Sequence, residues 1–313
     1  MSNITMDALH QSLTQAHSIV LTVHIHPDGD AMGSMLAMYE ALTNLGKTVT
    51  MVVDDTIPSK FAALPYGNRV RSVEDMKETV APDMVLVLDA STLERIGEVG
   101  ALWSAPIFNI DHHISNSEFA DYLYLLPHFA ATCEIVADLC QQWKWEITPS
   151  MANALYMGIA TDCGFFKFSN TTEHTLQMAA LCLAKGAQPQ AISEMIEAVS
   201  AKRLELTKRA MQTIAFYKNA TIASIELDTY AMEQLGDDTD GFVELIRNVD
   251  TVDIAIFLKA ESDKKTRVSL RSKRADVNAI AANFGGGGHI RAAGCSIAGN
   301  LEEAKRQLLE VML

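Results

Sequence analysis

The chain has 313 residues, 49 % of them hydrophobic, and a formal charge of −14 at pH 7. That length can bury a sizeable core and accommodate two domains, while the acidic balance repels long polyanions unless basic residues are gathered locally. No run of about 18 apolar residues exists to span a bilayer, and residues 1–23 carry acid rather than a basic leader, so the expectation is a soluble cytoplasmic protein without a membrane partner.

In chain order, a weakly amphipathic helix precedes a β-rich run at 18–25, which leads into His26-Pro27-Asp28-Gly29-Asp30, where Pro and Gly end the strand. A helix is expected over 31–45 with Gly46 as its C-terminal cap, then a strand at 48–53 and a short helical connection at 58–64. Residues 84–88 form a buried-strand run that ends in Asp89, and the apolar run 105–110 ends in Asp111-His112-His113. Strand, helix and strand in repetition imply parallel strands with helical crossovers, hence a doubly wound parallel α/β domain. Residues 132–143 read as helical, and Thr148-Pro149 is an N-cap with Pro at the first helical position of a helix that delivers Thr161-Asp162. Thr171 and Glu173 open a further helix capped by Gly186.

Residues 189–217 read as two helices broken near Ser200, without a strand. Beyond them the rhythm changes. Strands are expected at 220–227, 252–258 and 266–270, helices near 240–247 and 276–284, a hairpin turn at 262–265, and a closing helix from Leu301. Between the last two helices stand four glycines, Gly285 to Gly288, then His289 and Arg291-Ala292-Ala293-Gly294. The five cysteines, Cys133, Cys140, Cys163, Cys182 and Cys295, are odd in number and widely spaced, and most read as buried thiols of a reducing compartment.

His24, Asp28 and Asp30 lie at or just past the first strand's carboxyl end. Asp89, Asp111, His112 and His113 lie at later strand ends, and Asp162 at a helix end. In a parallel sheet the strand ends share one edge, so these residues converge. Each has a plain alternative, such as an acid shaping a Pro-Gly turn or capping a helix, and only the joint placement favours a site. Ionised aspartates brought close raise one another's pKa unless cations neutralise them. Imidazole and carboxylate without thiolate suit Mn(II), with Mg(II), Co(II) or Fe(II) as competitors, and so many ligands exceed one ion. Two ions about 4 Å apart, bridged by a carboxylate and a water that becomes hydroxide near neutral pH, form an arrangement used to displace groups at phosphorus.

In the last third, Gly286, Gly287 and Gly288 let the backbone approach an anion closely, and His289 and Arg291 add donors. Ser269, Arg271 and Ser272 add contacts, Arg271 by forking onto phosphate or stacking on a base. Lys259, Lys264, Lys265, Arg267, Arg271, Lys273 and Arg274 stand against only Glu261 and Asp263 in this stretch, which points to a small phosphorylated ligand rather than a long duplex. A flexible loop and a solvated hairpin are the plain alternatives.

These motifs resemble the DHH phosphoesterases, named for the triplet that is Asp111-His112-His113 here. The match is to four ordered motifs, 24–30, Leu88-Asp89, 111–113 and Thr161-Asp162, and the stretch from Gly285 to Gly294 resembles the signature of the DHH-associated substrate domain. The resemblance implies His24, Asp28 and Asp89 on one manganese, and Asp30, Asp89, His112 and Asp162 on the other. Asp89 would bridge, His113 would face the substrate, and Asp111 would orient the histidines. One departure is Val23-His24, where some branches carry a further acid. The implied organisation is a catalytic metal-binding domain over 1–187, a helical connector over 188–218 and a smaller α/β substrate-binding domain over 219–313. The compact two-domain branch implies hydrolysis of short oligoribonucleotides to 5′-mononucleotides or removal of the 3′-phosphate of 3′-phosphoadenosine 5′-phosphate. A cyclic or linear dinucleotide phosphodiesterase and a nucleotide-binding sensor with structural metals remain open alternatives, as does self-association into a homodimer.

Overall fold

The computed structural model describes residues 3–76, 81–235, 239 and 241–312, and the chain divides into two compact units, Met1–Ala198 and Val199–Leu313. In chain order the first unit contains α1 (Met6–Gln15), β1 (Ser18–Thr22), α2 (Gly29–Asn44), β2 (Thr48–Val53), α3 (Ser59–Ala62), β3 (Arg71–Ser72), β4 (Met84–Leu88), β5 (Ile107–Asp111), β6 (Tyr122–Leu125), α4 (Thr132–Gln142), α5 (Pro149–Asp162), α6 (Glu173–Ala184) and α7 (Pro189–Glu197). Its six strands are all parallel, in the order β3-β2-β1-β4-β5-β6. Strand order reverses between β1 and β4, so the crevice where doubly wound sheets bind ligands opens at the ends of these two strands.

Burial explains why the central strands read as unbroken apolar runs. In β1, Ile19 and Leu21 join the core formed with α2, α4 and α5, while Val20 faces a second cluster with Ile96 and Val99. In β4, Met84, Leu86 and Leu88 face the first cluster, and Val85 and Val87 the second. Strands covered on both faces have no polar side to alternate with. Two expectations shift: β1 ends at Thr22, leaving His24 beyond it, and α2 begins at Gly29 because Asp28 rather than a later residue caps it. The sixth strand, β6, lies at one edge of the sheet and was not among the strands expected from the sequence.

The second unit contains α8 (Ala201–Met211), β7 (Ala215–Tyr217), β8 (Ile222–Leu227), α9 (Thr229–Leu235), α10 (Phe242–Arg247), β9 (Ile254–Ser262), β10 (Lys265–Ser272), α11 (Val277–Ala282), β11 (Gly287–His289), β12 (Ala292–Ala298) and α12 (Leu301–Met312). Its sheet runs β11-β12-β10-β9-β8-β7, antiparallel except for β8 beside β9. Residues 215–217 are therefore an edge strand, not the end of a helix as expected. Pairing with β8 wins over the local helical bias. The last glycines are likewise strand, not loop. Asp240, expected at the start of a helix, lies outside the described residues. Among the described residues no helix is long and apolar enough to cross a membrane.

Candidate metal centre

β1, α2, β4, β5 and α5 each place at least one side chain of the site at or next to one of their ends. Beyond β1, His24 is 4 % exposed, and its Nδ1 bonds the carbonyl of Ile25 at 2.8 Å. A carbonyl only accepts, so the proton sits on Nδ1 and Nε2 is aimed at carboxylates, 3.8 Å from Asp28 and 3.6 Å from Asp89 Oδ2. Asp28 is the N-cap of α2, its Oδ1 accepting from the N–H groups of Asp30 and Ala31 at 3.0 Å each. Asp30, in the first turn of α2, is buried, and its two oxygens accept from the backbone N–H groups of Thr132 and Cys133 at 2.6 and 2.8 Å.

Asp89 follows β4 in a left-handed conformation, φ 58°, which an aspartate tolerates better than most residues. Its N–H still reaches the carbonyl of Ile110 at 3.1 Å, so sheet pairing holds the turn that aims the carboxylate inward. Asp111 closes β5, fully buried. Its Oδ1 accepts from His112 N at 2.9 Å and His113 Nδ1 at 2.7 Å, and its Oδ2 from Asn116 Nδ2 at 2.6 Å. With three donors in place Asp111 orients its neighbours, and among the described residues His113 Nε2 meets no hydrogen-bond partner. Asn116, which also bonds the Asn109 side chain at 2.9 Å, was not singled out from the sequence. The Ser-Asn pair just past the triplet was the only available signal.

His112 completes the arrangement. Its Nδ1 faces the carbonyl of Phe129 at 3.3 Å, and its Nε2 stands 3.2 Å from Asp162, 3.5 Å from Asp89 Oδ1 and 3.9 Å from Asp30. Two ligand clusters result, His24-Asp28-Asp89 and Asp30-His112-Asp162, with the two oxygens of Asp89 turned one to each. A third grouping, Asp89-Asp111-His112-His113, is also compact, but both oxygens of Asp111 are already engaged by three donors.

The electrostatics describe a surplus of negative charge. Burial pulls the His24 and His112 pKa values down, yet bonds to Asp28 and Asp89 in one case, and a bond to Asp89 with the nearby charge of Asp30 in the other, lift both to about 10. Burial, with Asp89 and Asp162 close by, pushes the Asp30 carboxyl well above the usual range. Burial raises Asp162 to about 6. Asp89 is also buried, but His112 and His24 hold it well below an ordinary carboxyl. His113 is raised chiefly by its bond to Asp111. Four carboxylates and two imidazoles gathered this closely form a site whose surplus negative charge a pair of dications would neutralise. The donor set, oxygen and imidazole nitrogen without sulfur, fits hard to borderline divalent ions.

In the second unit the strand register fixes which substrate candidates share a face. Arg271 pairs with Ala292 and Ala292 with His289, while Ser269 pairs with Gly294 and Gly294 with Gly287. Registered partners point to the same side, so Arg271, Ser269 and His289 share a face on which Gly287 and Gly294 contribute no side chain. Ser272 was expected beside Arg271 at the ligand. It lies instead on the buried face, 1 % exposed, with its hydroxyl donating to the carbonyl of Ala275 at 2.6 Å. Adjacent residues of a strand face opposite sides. Arg291 donates to the carbonyls of Arg274 and Ala275 and so braces that turn. Gly286 and Gly288 serve packing: a Cβ would lie 2.2 Å from the Gly294 oxygen in one and 2.5 Å from the Ala292 oxygen in the other, whereas at Gly287 nothing comes closer than 3.7 Å. Part of the basic arm is paired internally, with Lys265 on Glu261 at 2.6 Å and Lys273 on the carbonyl of Val249 at 2.7 Å.

Comparison with known proteins is consistent along the whole chain. Residues 18–159 match the DHH family N-terminal domain, and residues 228–313 the DHHA1 domain. The bifunctional oligoribonuclease and PAP phosphatase NrnA of Thermus thermophilus is 34 % identical over 94 % of this chain and 89 % of its own. The cyclic-di-AMP phosphodiesterase GdpP of Geobacillus thermodenitrificans is 25 % identical over 99 % of this chain but only 49 % of its own. Among solved structures, an exopolyphosphatase-related protein from Bacteroides fragilis superposes with a TM-score of 0.86 at 27 % identity, covering 97 % of this chain and 95 % of its own.

Proposed function

The chain belongs to the DHH family, and on that premise we propose that it is a phosphoesterase that releases 5′-mononucleotides from short oligoribonucleotides and removes the 3′-phosphate of 3′-phosphoadenosine 5′-phosphate. One observation carries the reading: the two oxygens of Asp89 stand 3.6 Å from His24 and 3.5 Å from His112, so one acid serves two adjoining clusters. His24, Asp28 and Asp89 would hold one divalent ion, and Asp30, Asp89, His112 and Asp162 the other. Mn(II) is preferred over Mg(II), Co(II) or Fe(II) for this mixture of imidazole and carboxylate. When bound, such ions supply concentrated positive charge and an activated water at neutral pH.

The remaining work belongs to the chain. Asp111 fixes the ring of His113 through Nδ1 and favours the doubly protonated imidazole, whose Nε2–H stabilises charge that develops on the phosphoryl oxygens. Arg271, Ser269 and His289, beside the side-chain-free Gly287, hold the terminal nucleotide by its phosphate and base. Both reactions break the same bond: water oxygen adds to phosphorus, and the ribose 3′ oxygen departs and takes a proton.

The similarity to GdpP favours a second reading, hydrolysis of a cyclic or linear dinucleotide by the same residues. One preparation assayed with Mn(II) on RNA of two to five nucleotides, on 3′-phosphoadenosine 5′-phosphate and on cyclic diadenylate separates them. The expected order of kcat/KM has the first two above the third, and the reverse order favours the second reading. Asp89→Ala is expected to lower single-turnover hydrolysis by about a thousandfold, roughly 4 kcal/mol of barrier. A loss within tenfold would remove Asp89 from the centre.

A further inference from the structure

The first turn of α4 and the residues just before it carry no ligand, yet they bond Asp30, Asp89 and His112 directly and reach Asp162 through Asn170. Thr132 is fully buried, and its hydroxyl donates to Asp89 Oδ1 at 3.1 Å, the oxygen turned toward His112. The backbone N–H groups of Thr132 and Cys133 fix both oxygens of Asp30. The carbonyl of Phe129 orients His112, and Asn170 ties the Ala130 carbonyl to that of Asp162 at 3.3 Å each. The segment is itself clamped. Glu134, 1 % exposed, accepts from Ala130 N at 2.8 Å, from the Thr175 hydroxyl at 3.1 Å and from His174 Nδ1 at 2.6 Å. A buried carboxylate with three donors holds a backbone firmly, because releasing any partner would leave a charged or polar group unsatisfied.

Among the described residues the first cluster has no such frame. Asp28 is 57 % exposed in its side chain and is held only by capping its own helix, and His24 by its neighbour's carbonyl. The two halves thus differ in preorganisation although they share Asp89. Ligands already locked in place lose less conformational freedom on binding, and partners behind the ligands tune metal affinity by roughly tenfold to a hundredfold.

We propose that Thr132 is a positioning residue for the inner half of the centre, Asp30-Asp89-His112-Asp162, and that the α4 turn makes this half fill before the outer half, His24-Asp28-Asp89. The inference rests on the two-ion reading of the centre. Thr132→Val removes one hydroxyl while keeping the backbone N–H that serves Asp30, and Thr132→Ser restores the hydroxyl.

The test is calorimetric titration of the metal-free full chain with Mn(II), which needs no substrate. The wild type is expected to bind two ions with affinities at least tenfold apart, and Asp28→Ala to abolish the weaker event only. Thr132→Val should weaken the tighter event by roughly tenfold or more and the other by less than threefold, and Thr132→Ser should return it to within threefold of wild type. Equal weakening of both events, or no change in either, overturns the inference while leaving the two-ion centre standing. Should the wild type bind no ion, the centre and the inference both fall. Should Thr132→Val not fold, Asn170→Ala decides: this exposed residue touches the inner half alone, so the tighter event should weaken at least threefold. No change in Asn170→Ala overturns the proposal.

Discussion

At the crevice of the first unit, Asp30, Asp89 and Asp111 are each 2 % exposed or less and each is met by imidazoles, backbone N–H groups or an amide. Around the glycine run of the second unit the polar side chains are exposed or bonded to nearby carbonyls, as Arg291 is to Arg274 and Ala275. Buried charge must be neutralised and hydrogen-bonded, so each member of the first region depends on several others. A glycine motif works through backbone shape. There the informative atoms are the ones a side chain would displace.

Four substitutions sharpen that contrast. The largest effect is expected at Asp111→Asn, which keeps the shape but weakens the grip on His113 and leaves one donor facing another. The value of kcat should fall by about tenfold to a hundredfold with KM within a few-fold, measured by steady-state hydrolysis of a dinucleotide. Unchanged kcat would mean that His113 needs no orientation. An intermediate effect separates two neighbouring glycines. Gly286→Ala meets the Gly294 oxygen and should cost about 1–3 kcal/mol in denaturant unfolding, whereas Gly287→Ala should stay within about 0.5 kcal/mol of wild type. A raised KM in Gly287→Ala without that cost would identify close backbone approach by the substrate, and an unaltered KM would remove Gly287 from the binding face.

The smallest effect lies on the other side of the same sheet. Lys305 bonds Glu226 at 2.7 Å and Glu302 at 2.9 Å; burial lowers its pKa, but these acids outweigh burial and lift it above the usual lysine range. A raised folded value stabilises fully below the unfolded pKa, about 10.4, and the contribution disappears as pH climbs through the folded value. Lys305→Met should therefore cost about 1 kcal/mol, constant from neutral pH to the onset of lysine titration and shrinking above it. A difference that varies with pH below 9 would point to some other group.

Several structural features were legible from local pattern alone. The strand–helix rhythm of residues 18–111 announced the parallel sheet, because strands buried on both faces must be apolar throughout. The acids and imidazoles stood out because such residues follow buried strands, where they are costly unless used together. The edge strand at 215–217 and the β11–β12 hairpin were missed, since pairing partners outside the segment decide their conformation.

What the sequence determined by itself is the set of side chains with the chemistry to meet at one rim and the order of elements that carries them there. The tertiary structure alone decided how they are held: Thr132 reaches Asp89 across 43 positions, Cys133 reaches Asp30 across 103, and Glu134 meets His174 across 40. It also decided that Ser272 turns inward while Ser269 shares a face with Arg271. Composition and periodicity act over a few residues, but strand register and the approach of α4 to α2 are fixed only when the chain packs, and those set each hydrogen bond behind the centre.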